Sequence, residues 1–163
     1  EGREKIAAMI IGVGTDLIEI GRVRKACEKQ AFLSRVYTEE ECRKFGGNAA
    51  RLAGNFAVKE AVAKALGTGF RSFWPGDIEV LRDHMGKPFV RLMGGALKRA
   101  GELGIGQIHV SITNTKEYAA AFAVAESVDM AGKVCEGVEG SAGLPVESFM
   151  GGWNRGQDEE EGI

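Results

Sequence analysis

The stretch "GNFAVKEAVAKALGTG", Gly54 to Gly69, decides the fold, because it predicts a helix that is apolar almost all the way round. Alanine, valine, leucine and phenylalanine predominate, and a helix of this composition is normally buried. We expect it to span about residues 48–66. Glu60 and Lys64 nevertheless lie in its middle, and Lys59 precedes Glu60. A carboxylate and an ammonium group on a buried helix need polar partners, and the sequence must be searched for them.

The segments around this helix predict an α+β fold with a mostly antiparallel sheet and packed helices. Ile10, Ile11 and Val13 predict a short buried strand, with Asp16 at or just past its end. Helical spacing follows over "IEIGRVRKACEKQAFLSRVY", and "TEEECRKFG" predicts a short helix with Thr38 as its N-cap. Two hairpins, "DIEVLRDHMGKPFVRLM" and "IHVSITNTKEYAAAFAVAE", flank a short helix in "GGALKRAGELG".

Composition limits the classes of protein to which the chain can belong. Its 163 residues, 44% of them hydrophobic, suffice for one domain, which we expect at residues 9–127. Residues 1–8 are expected to be a leader or an expression remnant, and residues 128–163 a flexible, Gly-rich acidic tail.

A formal net charge of −2 argues against nucleic-acid binding, and no apolar run is long enough to cross a membrane. Three widely spaced cysteines predict reduced thiols in a cytoplasmic protein rather than disulfides or zinc.

Glu60 and Lys64 are four residues apart, so they lie on one face of the predicted helix. One interpretation is an ordinary surface salt bridge. The other is a binding site for a cation and a phosphate, which the small apolar neighbours of the pair favour. Asp16 is the best candidate for a second carboxylate, although it is also suited to cap a helix. Asp16 and Glu60 together match Mg²⁺, which takes one or two protein carboxylates and fills its shell with water and substrate phosphates.

Two polar segments are candidates for contacts to a phosphate or a nucleotide. The first is a turn, and in the second alternate side chains share one face of a strand. A plain turn lysine and a core histidine are the alternative interpretations. The candidates are Gly86, Lys87 and Pro88 in "HMGKPF", and His109, Ser111, Thr113, Asn114 and Thr115 in "HVSITNTKE".

The motifs "GVGTDLIEI", "FAVKEAVAKALGTG", "GKP" and "HVSITNTKEYA", in this order, resemble those of holo-[acyl carrier protein] synthase. This family is the 4′-phosphopantetheinyl transferase of bacterial fatty-acid synthesis, and the resemblance spans residues 9–127. It implies transfer of 4′-phosphopantetheine from coenzyme A to a serine of apo-acyl carrier protein, leaving adenosine 3′,5′-bisphosphate. It also implies dependence on Mg²⁺ or Mn²⁺, and a homotrimer with three sites at the subunit interfaces.

The resemblance assigns roles to the candidate residues. Asp16 and Glu60 match the family's metal carboxylates, and Lys64 matches its lysine near the phosphates. His109 and the "GKP" turn match coenzyme A contacts. Phosphoryl-transfer logic makes Glu60 the expected base for the serine proton, with Asp16 and Lys64 as the other catalytic residues.

Two positions depart from the family pattern. Asn55 stands where an arginine is common, and Asn114 where a histidine is common; both are expected to face coenzyme A phosphates, with Arg51 covering part of the missing charge. An inactive module that binds coenzyme A or a carrier protein therefore remains an alternative. The carrier protein is expected to dock on a basic cluster just after the aspartate motif: Arg22, Arg24 and Lys25.

Overall fold

The computed structural model describes residues 8–127, within which the chain forms five strands and five α-helices, besides a short 3₁₀-helix at Pro75–Asp77. In chain order these are β1 (Ile10–Glu19), α1 (Ile20–Ala26), α2 (Gln30–Val36), α3 (Glu39–Phe45), α4 (Ala49–Ala65), β2 (Ile78–Arg82), β3 (Pro88–Leu92), α5 (Gly94–Glu102), β4 (Ile105–Asn114) and β5 (Tyr118–Ser127). The predicted α+β arrangement is confirmed. The predicted leader, apart from residue 8, and the predicted tail lie outside the described residues.

The strands form two antiparallel units. β1, β5 and β4 make a three-stranded sheet in that order, and β2 pairs with β3 in a separate hairpin. Alanine is a poor strand former, yet the alanine-rich segment "YAAAFAVA" lies within β5 as predicted. Ala121, Ala123 and Ala125 are buried in the core that α4 shares, because their small side chains let the helix approach the sheet closely.

Helix α4 is the centre of the core and closely matches the predicted segment. The Asn48 side chain caps it by accepting a hydrogen bond from the Arg51 backbone N–H at 3.0 Å. Ala57, Ala61 and Val62 are completely buried, and α4 packs against both the three-stranded sheet and β2. The apolar composition of the helix is therefore explained by neighbours on most of its sides.

Strand β1 corrects the prediction that Ile10, Ile11 and Val13 are buried. Their exposed fractions are 62%, 37% and 56%, and the strand continues to Glu19. The reason is the position of two glycines. Gly12 and Gly14 face α4, and a Cβ on either would collide with the helix backbone. The glycines therefore take the inner face of β1, and Ile11 and Val13 point away from the core. Ile10 is exposed at the start of the strand, where the register with β5 is irregular.

The face of the sheet opposite α4 carries a row of exposed apolar side chains. We call this the outer sheet face; on β1 it includes Ile11, Val13 and Leu17, and on β5 Tyr118 and Phe122. The pairing of β1 with β5 brings these side chains to the same side of the sheet. Nothing in residues 8–127 covers them.

A buried ion pair fixes α4 to α3. The Lys59 ammonium donates to Glu41 Oε2 at 2.7 Å, and neither side chain is exposed to solvent. It also donates to the Ile78 carbonyl oxygen, and Asn55 Nδ2 donates to Glu41 Oε1 at 2.9 Å. Lys59 thus points into the protein, although it is adjacent to Glu60 in the sequence.

The first helical segment is interrupted. The spacing over residues 18–37 predicts continuous helix, but α1 ends at Ala26 and α2 begins at Gln30. The short helix α3 has the predicted capping box, in which Thr38 and Glu41 exchange side-chain and backbone hydrogen bonds of 3.0 and 3.2 Å. Across residues 8–127, no helix combines the length and the apolar character needed to span a membrane.

Candidate active site

Asp16 lies within β1, on the face of the sheet that packs on α4. Its strand partner is Ala121, which is 3% exposed, whereas the Asp16 side chain is 17% exposed. The interpretation of Asp16 as a helix cap is wrong, because α1 begins at Ile20 and its N-cap residue is Glu19. The strand therefore presents the Asp16 carboxylate to the helix.

Lys64 reaches across from α4 to β1. Its ammonium group lies 2.8 Å from Asp16 Oδ1 and donates at the same distance to the backbone oxygen of Thr15. The alternative of a Glu60–Lys64 salt bridge is not found among the ion pairs of the described residues, because Lys64 pairs with Asp16 instead. With 51% of its side chain exposed, Lys64 remains accessible to an incoming anion.

Glu60 completes a group of three charges. Burial raises the pKa of its carboxyl group, the negative charge of Asp16 raises it further, and the positive charge of Lys64 opposes both effects. Asp16 therefore lies close enough to Glu60 for the two carboxylates to repel one another. We call the group formed by Asp16, Glu60 and Lys64 the charged cluster; it joins the two charged residues of the opening segment to the candidate carboxylate of β1.

A cleft of about 390 Å³ lies beside the start of α4. Four of the predicted binding residues line it: Arg51, Gly86, Pro88 and Asn114. Arg82 also lines it and was not predicted. The signal for Arg82 is weak in the sequence, because an arginine at the end of a strand is common and only the fold brings it beside Arg51.

Asn55 corrects the expectation that it faces coenzyme A. It is completely buried, and its Nδ2 donates to Glu41 and to the Val80 carbonyl oxygen, each at 2.9 Å. Its Oδ1 has no hydrogen-bond partner in the described residues. Asn55 follows Gly54, which does line the cleft, but its own side chain turns inward into the network around Lys59.

The polar row on β4 lies on the outer sheet face. His109, Ser111 and Thr113 are exposed, so the interpretation of His109 as a core histidine is wrong. His109 Nε2 lies 2.9 Å from Glu126 Oε2 on the neighbouring strand. This row borders the apolar side chains that β1 and β5 expose.

Two other predicted contacts lie in turns. Lys87 has an exposed side chain, and its backbone N–H donates to Asp83 Oδ1 at 2.8 Å, which shapes the "HMGKP" turn. The Thr115 hydroxyl accepts from the backbone N–H groups of Glu117 and Tyr118, at 3.2 and 3.0 Å. Thr115 thus closes the β4–β5 turn.

The predicted docking cluster lies on α1, which starts directly after β1. Arg22, Arg24 and Lys25 are all exposed. Arg22 also borders a cavity of about 280 Å³ that Phe32 and Phe56 line. A basic rim thus adjoins an apolar pocket on the same side of the fold.

Comparisons with known proteins identify the family to which the fold belongs. Residues 12–123 match the family model described as 4′-phosphopantetheinyl transferase superfamily. The chain is 53% identical over 120 residues to the holo-[acyl-carrier-protein] synthase of Lachnoclostridium phytofermentans, which covers 74% of this chain and 98% of that protein. It is 49% identical over 121 residues to the synthase of Alkaliphilus metalliredigens, which covers 72% of this chain and 99% of the relative.

Solved structures give the same result. The holo-(acyl-carrier-protein) synthase from Bacillus anthracis, in complex with CoA (3′,5′-ADP), superposes with a TM-score of 0.62 at 35% identity, over 75% of this chain and 100% of that one. The acyl carrier protein synthase of Plasmodium yoelii with ADP bound gives 0.69 at 34% identity, over 76% and 99% of the two chains. The resemblance in the sequence motifs is thereby confirmed. The chain belongs to the 4′-phosphopantetheinyl transferase superfamily and is an enzyme of the holo-[acyl-carrier-protein] synthase type.

Proposed function

We propose that the protein transfers 4′-phosphopantetheine from coenzyme A to a serine of apo-acyl carrier protein, with a divalent ion held by the charged cluster. The meeting of Asp16 from β1 with Glu60 and Lys64 from α4 carries this proposal. Two carboxylates and one accessible ammonium group suit a metal-bound diphosphate, since the ammonium can meet a phosphate oxygen while the carboxylates face the ion. The coenzyme A complex of the Bacillus anthracis relative supports the choice of donor.

A divalent ion fits the residues present. Burial and the negative charge of Asp16 both raise the Glu60 pKa, and a cation between the two carboxylates would compensate their charges. Within residues 8–127, no three His, Cys, Asp or Glu side chains form a group that could hold a metal unaided. Mg²⁺ commonly takes only one or two protein carboxylates and completes its shell with substrate phosphates and water. Asp16 and Glu60 would therefore hold Mg²⁺ or Mn²⁺, which would neutralise charge on the diphosphate.

The side chains of the charged cluster have distinct roles in the reaction. The serine hydroxyl forms a bond to the β-phosphorus of coenzyme A as the bond to the leaving adenosine 3′,5′-bisphosphate breaks. Glu60 accepts the serine proton as the general base of the reaction. Lys64 stabilises the negative charge that develops on the phosphate oxygens.

The acyl carrier protein is proposed to dock on α1. Arg22, Arg24 and Lys25 offer a basic surface to an acidic helix of the partner, and α1 follows within four residues of Asp16. The apolar cavity beside Arg22 adds a pocket for an apolar side chain of that helix. Charge would steer the encounter, and the pocket would add apolar contact.

We propose that the active form is a homotrimer with its sites between subunits, in the cytoplasm. The outer sheet face exposes contiguous apolar side chains, and patches of this kind commonly mark protein interfaces. His109, Ser111 and Thr113 line the same face, so a neighbouring copy packed there would bring their polar groups to its coenzyme A. The "GKP" turn and Asn114 are proposed to contact coenzyme A through the cleft.

Mass spectrometry tests the reaction directly. An apo-acyl carrier protein incubated with the chain, coenzyme A and Mg²⁺ should gain the mass of phosphopantetheine, and excess EDTA should prevent the gain. Glu60→Gln and Asp16→Asn should each reduce turnover about 100-fold or more. Glu39→Gln, at an exposed glutamate of α3, serves as the matched control and should leave turnover unchanged. Binding of coenzyme A without any mass gain would instead support an inactive binding module.

A further inference from the structure

Charge is divided unevenly between the domain and the residues that follow it. Residues 128–163, which we call the C-terminal segment, hold eight acidic and two basic residues. Four of these acids form the run "DEEE" at residues 158–161, which we call the acidic run. Residues 1–127, by contrast, hold four more basic than acidic residues. An acidic segment joined to a basic domain is attracted to it, most strongly where cations lack other partners.

Cations of this kind lie on α1 and in the turn that follows it. Four of them have exposed side chains: Arg22, Arg24, Lys25 and Lys29. None forms an ion pair in the part of the chain that the structure describes. The two acids nearest to them in the sequence, Glu19 and Glu28, leave the surface with an excess of positive charge. The surface of α1 is therefore open to an acidic ligand.

The same surface contains an apolar pocket. The cavity of about 280 Å³ beside Arg22 has mainly apolar walls, and one of its lining residues, Leu17, is 65% exposed. The C-terminal segment carries an aromatic residue, Trp153, five residues before the acidic run. Five residues span at most about 17 Å, and a helix of seven residues is about 10 Å long. A segment with Trp153 in the cavity would thus place its acids over α1.

The C-terminal segment is long enough to reach this surface. β5 ends at Ser127, and the pairing of Glu19 with Tyr118 puts α1 at the opposite end of the sheet. The nine residues from Tyr118 to Ser127 correspond to about 30 Å of strand. Trp153 follows Ser127 by twenty-six residues, and a Gly-rich segment of that length has an r.m.s. span of about 28 Å. Because span and distance match, the effective concentration of the tethered segment is on the order of millimolar.

We propose that the C-terminal segment binds the surface of α1, with Trp153 in the cavity and the acidic run against Arg24 and Lys25, and that acyl carrier protein must displace it. The inference rests on the proposed function, which docks the carrier protein on the same surface. The curated relatives are matched over nearly their whole length by the domain alone, so this competition belongs to this chain and not to the shared domain. The segment then raises the apparent KM for carrier protein without contacting the charged cluster.

Carbodiimide crosslinking of the full chain tests the contact in the absence of carrier protein. The reagent joins a carboxylate to an ammonium group as an amide, and the carbodiimide takes up the water that is lost. Trypsin cleaves after Arg155, so mass spectrometry identifies the peptides attached to the acidic run. The dominant link should join residues 158–161 to Lys25, and about 1 M NaCl should reduce its yield at least threefold by screening the attraction. Lys25→Arg should remove this link while it keeps the charge.

Kinetics of two full-chain variants test the competition. Amides replace the acidic run in the first variant: Asp158→Asn, Glu159→Gln, Glu160→Gln and Glu161→Gln. Its KM for apo-acyl carrier protein should fall about threefold to tenfold, with kcat and the KM for coenzyme A unchanged. The matched control removes the same charge elsewhere in the C-terminal segment: Asp129→Asn, Glu136→Gln, Glu139→Gln and Glu147→Gln. The control should leave the KM for carrier protein within about twofold of the parent value.

The possible outcomes separate this inference from the proposed function. Absence of a link to Lys25, or equal links to lysines throughout the domain, would overturn the inference. An equal fall in KM for both variants would show general repulsion of the acidic partner and would also overturn it. A link to Lys25 with an unchanged KM would support binding of the segment and overturn α1 as the docking surface. Absence of any mass gain on the carrier protein would overturn the proposed function and the competition, whereas the crosslink would still decide whether the segment binds α1.

Discussion

Gly14→Ala tests whether the close contact between β1 and α4 builds the charged cluster. A Cβ at Gly14 would overlap the Ala61 carbonyl oxygen and lie 2.9 Å from both the Ala61 carbonyl carbon and the Ala65 nitrogen. Ordinary contact begins at 3.4 Å, so β1 must retreat from the helix backbone. The obstructing atoms are backbone, which no side-chain rotation can move aside. Asp16, two residues further along β1, would move with the strand.

The expected loss of stability follows from two opposing effects. Overpacking a tight core costs about 1–3 kcal/mol, and a clash with backbone belongs at the upper end of this range. Replacing glycine lowers the entropy of the unfolded chain and offsets about 0.4–1 kcal/mol. The free energy of unfolding should therefore fall by about 2 kcal/mol, and Tm by roughly 5–15 °C for a domain of this size.

Urea unfolding and Mn²⁺ titration together measure both consequences. The unfolding midpoint should fall with an unchanged m value, and Mn²⁺ affinity, measured well below Tm, should fall because Asp16 no longer lies beside Glu60. Gly21→Ala is the control, since a Cβ there meets only the Glu19 carboxylate oxygen, at 4.0 Å. Parent-like stability of Gly14→Ala would refute the steric argument. Reduced stability with parent-like Mn²⁺ affinity would show that Gly14 does not align the carboxylates.

Three further predictions concern the core, the outer sheet face and the docking surface. Lys59→Met should lower the free energy of unfolding, measured by urea titration, by about 3–5 kcal/mol, because it leaves Glu41 buried without a counter-ion. A loss below about 1 kcal/mol would contradict this prediction. Phe122→Asp should yield a folded monomer in sedimentation equilibrium, since the side chain is 49% exposed in one chain and would be buried in an assembly; an unchanged trimer would place the interface elsewhere. Arg22→Glu should raise the KM for acyl carrier protein several-fold and reduce the salt dependence of that KM, without changing the KM for coenzyme A. If the KM for acyl carrier protein and its salt dependence are unaltered, α1 is not the docking surface.

The sequence predicted the elements well, because most of them carry local signals. The capping box at Thr38 and the turn around Gly86 are each determined by a few residues that are adjacent in the sequence. β5 was harder to predict, since its alanines have low strand propensity and are selected by the close approach of α4. The break between α1 and α2 has no proline to mark it, so periodicity alone could not locate it.

Burial was less predictable than the elements. Apolar residues at the start of β1 were expected in the core, but the sequence does not say which face of a strand meets a helix. The glycines at 12 and 14 decide that question only once the helix position is known. Asn55 was misplaced for a similar reason. Family resemblance indicates which positions matter, whereas the orientation of a side chain depends on partners such as Glu41 that are distant in the sequence.

The opposite directions of the Lys59 and Glu60 side chains explain how α4 can belong to the core and also line the candidate active site. Consecutive helical residues point about 100° apart, so one side of the helix can be anchored while the next faces the site. Lys59 is tied to Glu41 on α3 and to the Ile78 backbone, which fixes the rotation of α4 about its axis. With that rotation fixed, Glu60 is directed toward Asp16, and Lys64, one turn later, reaches the same carboxylate. The buried ion pair therefore positions the charged cluster by fixing the orientation of α4. For this reason we expect Lys59→Met to lower turnover beyond what the fraction of unfolded chain explains.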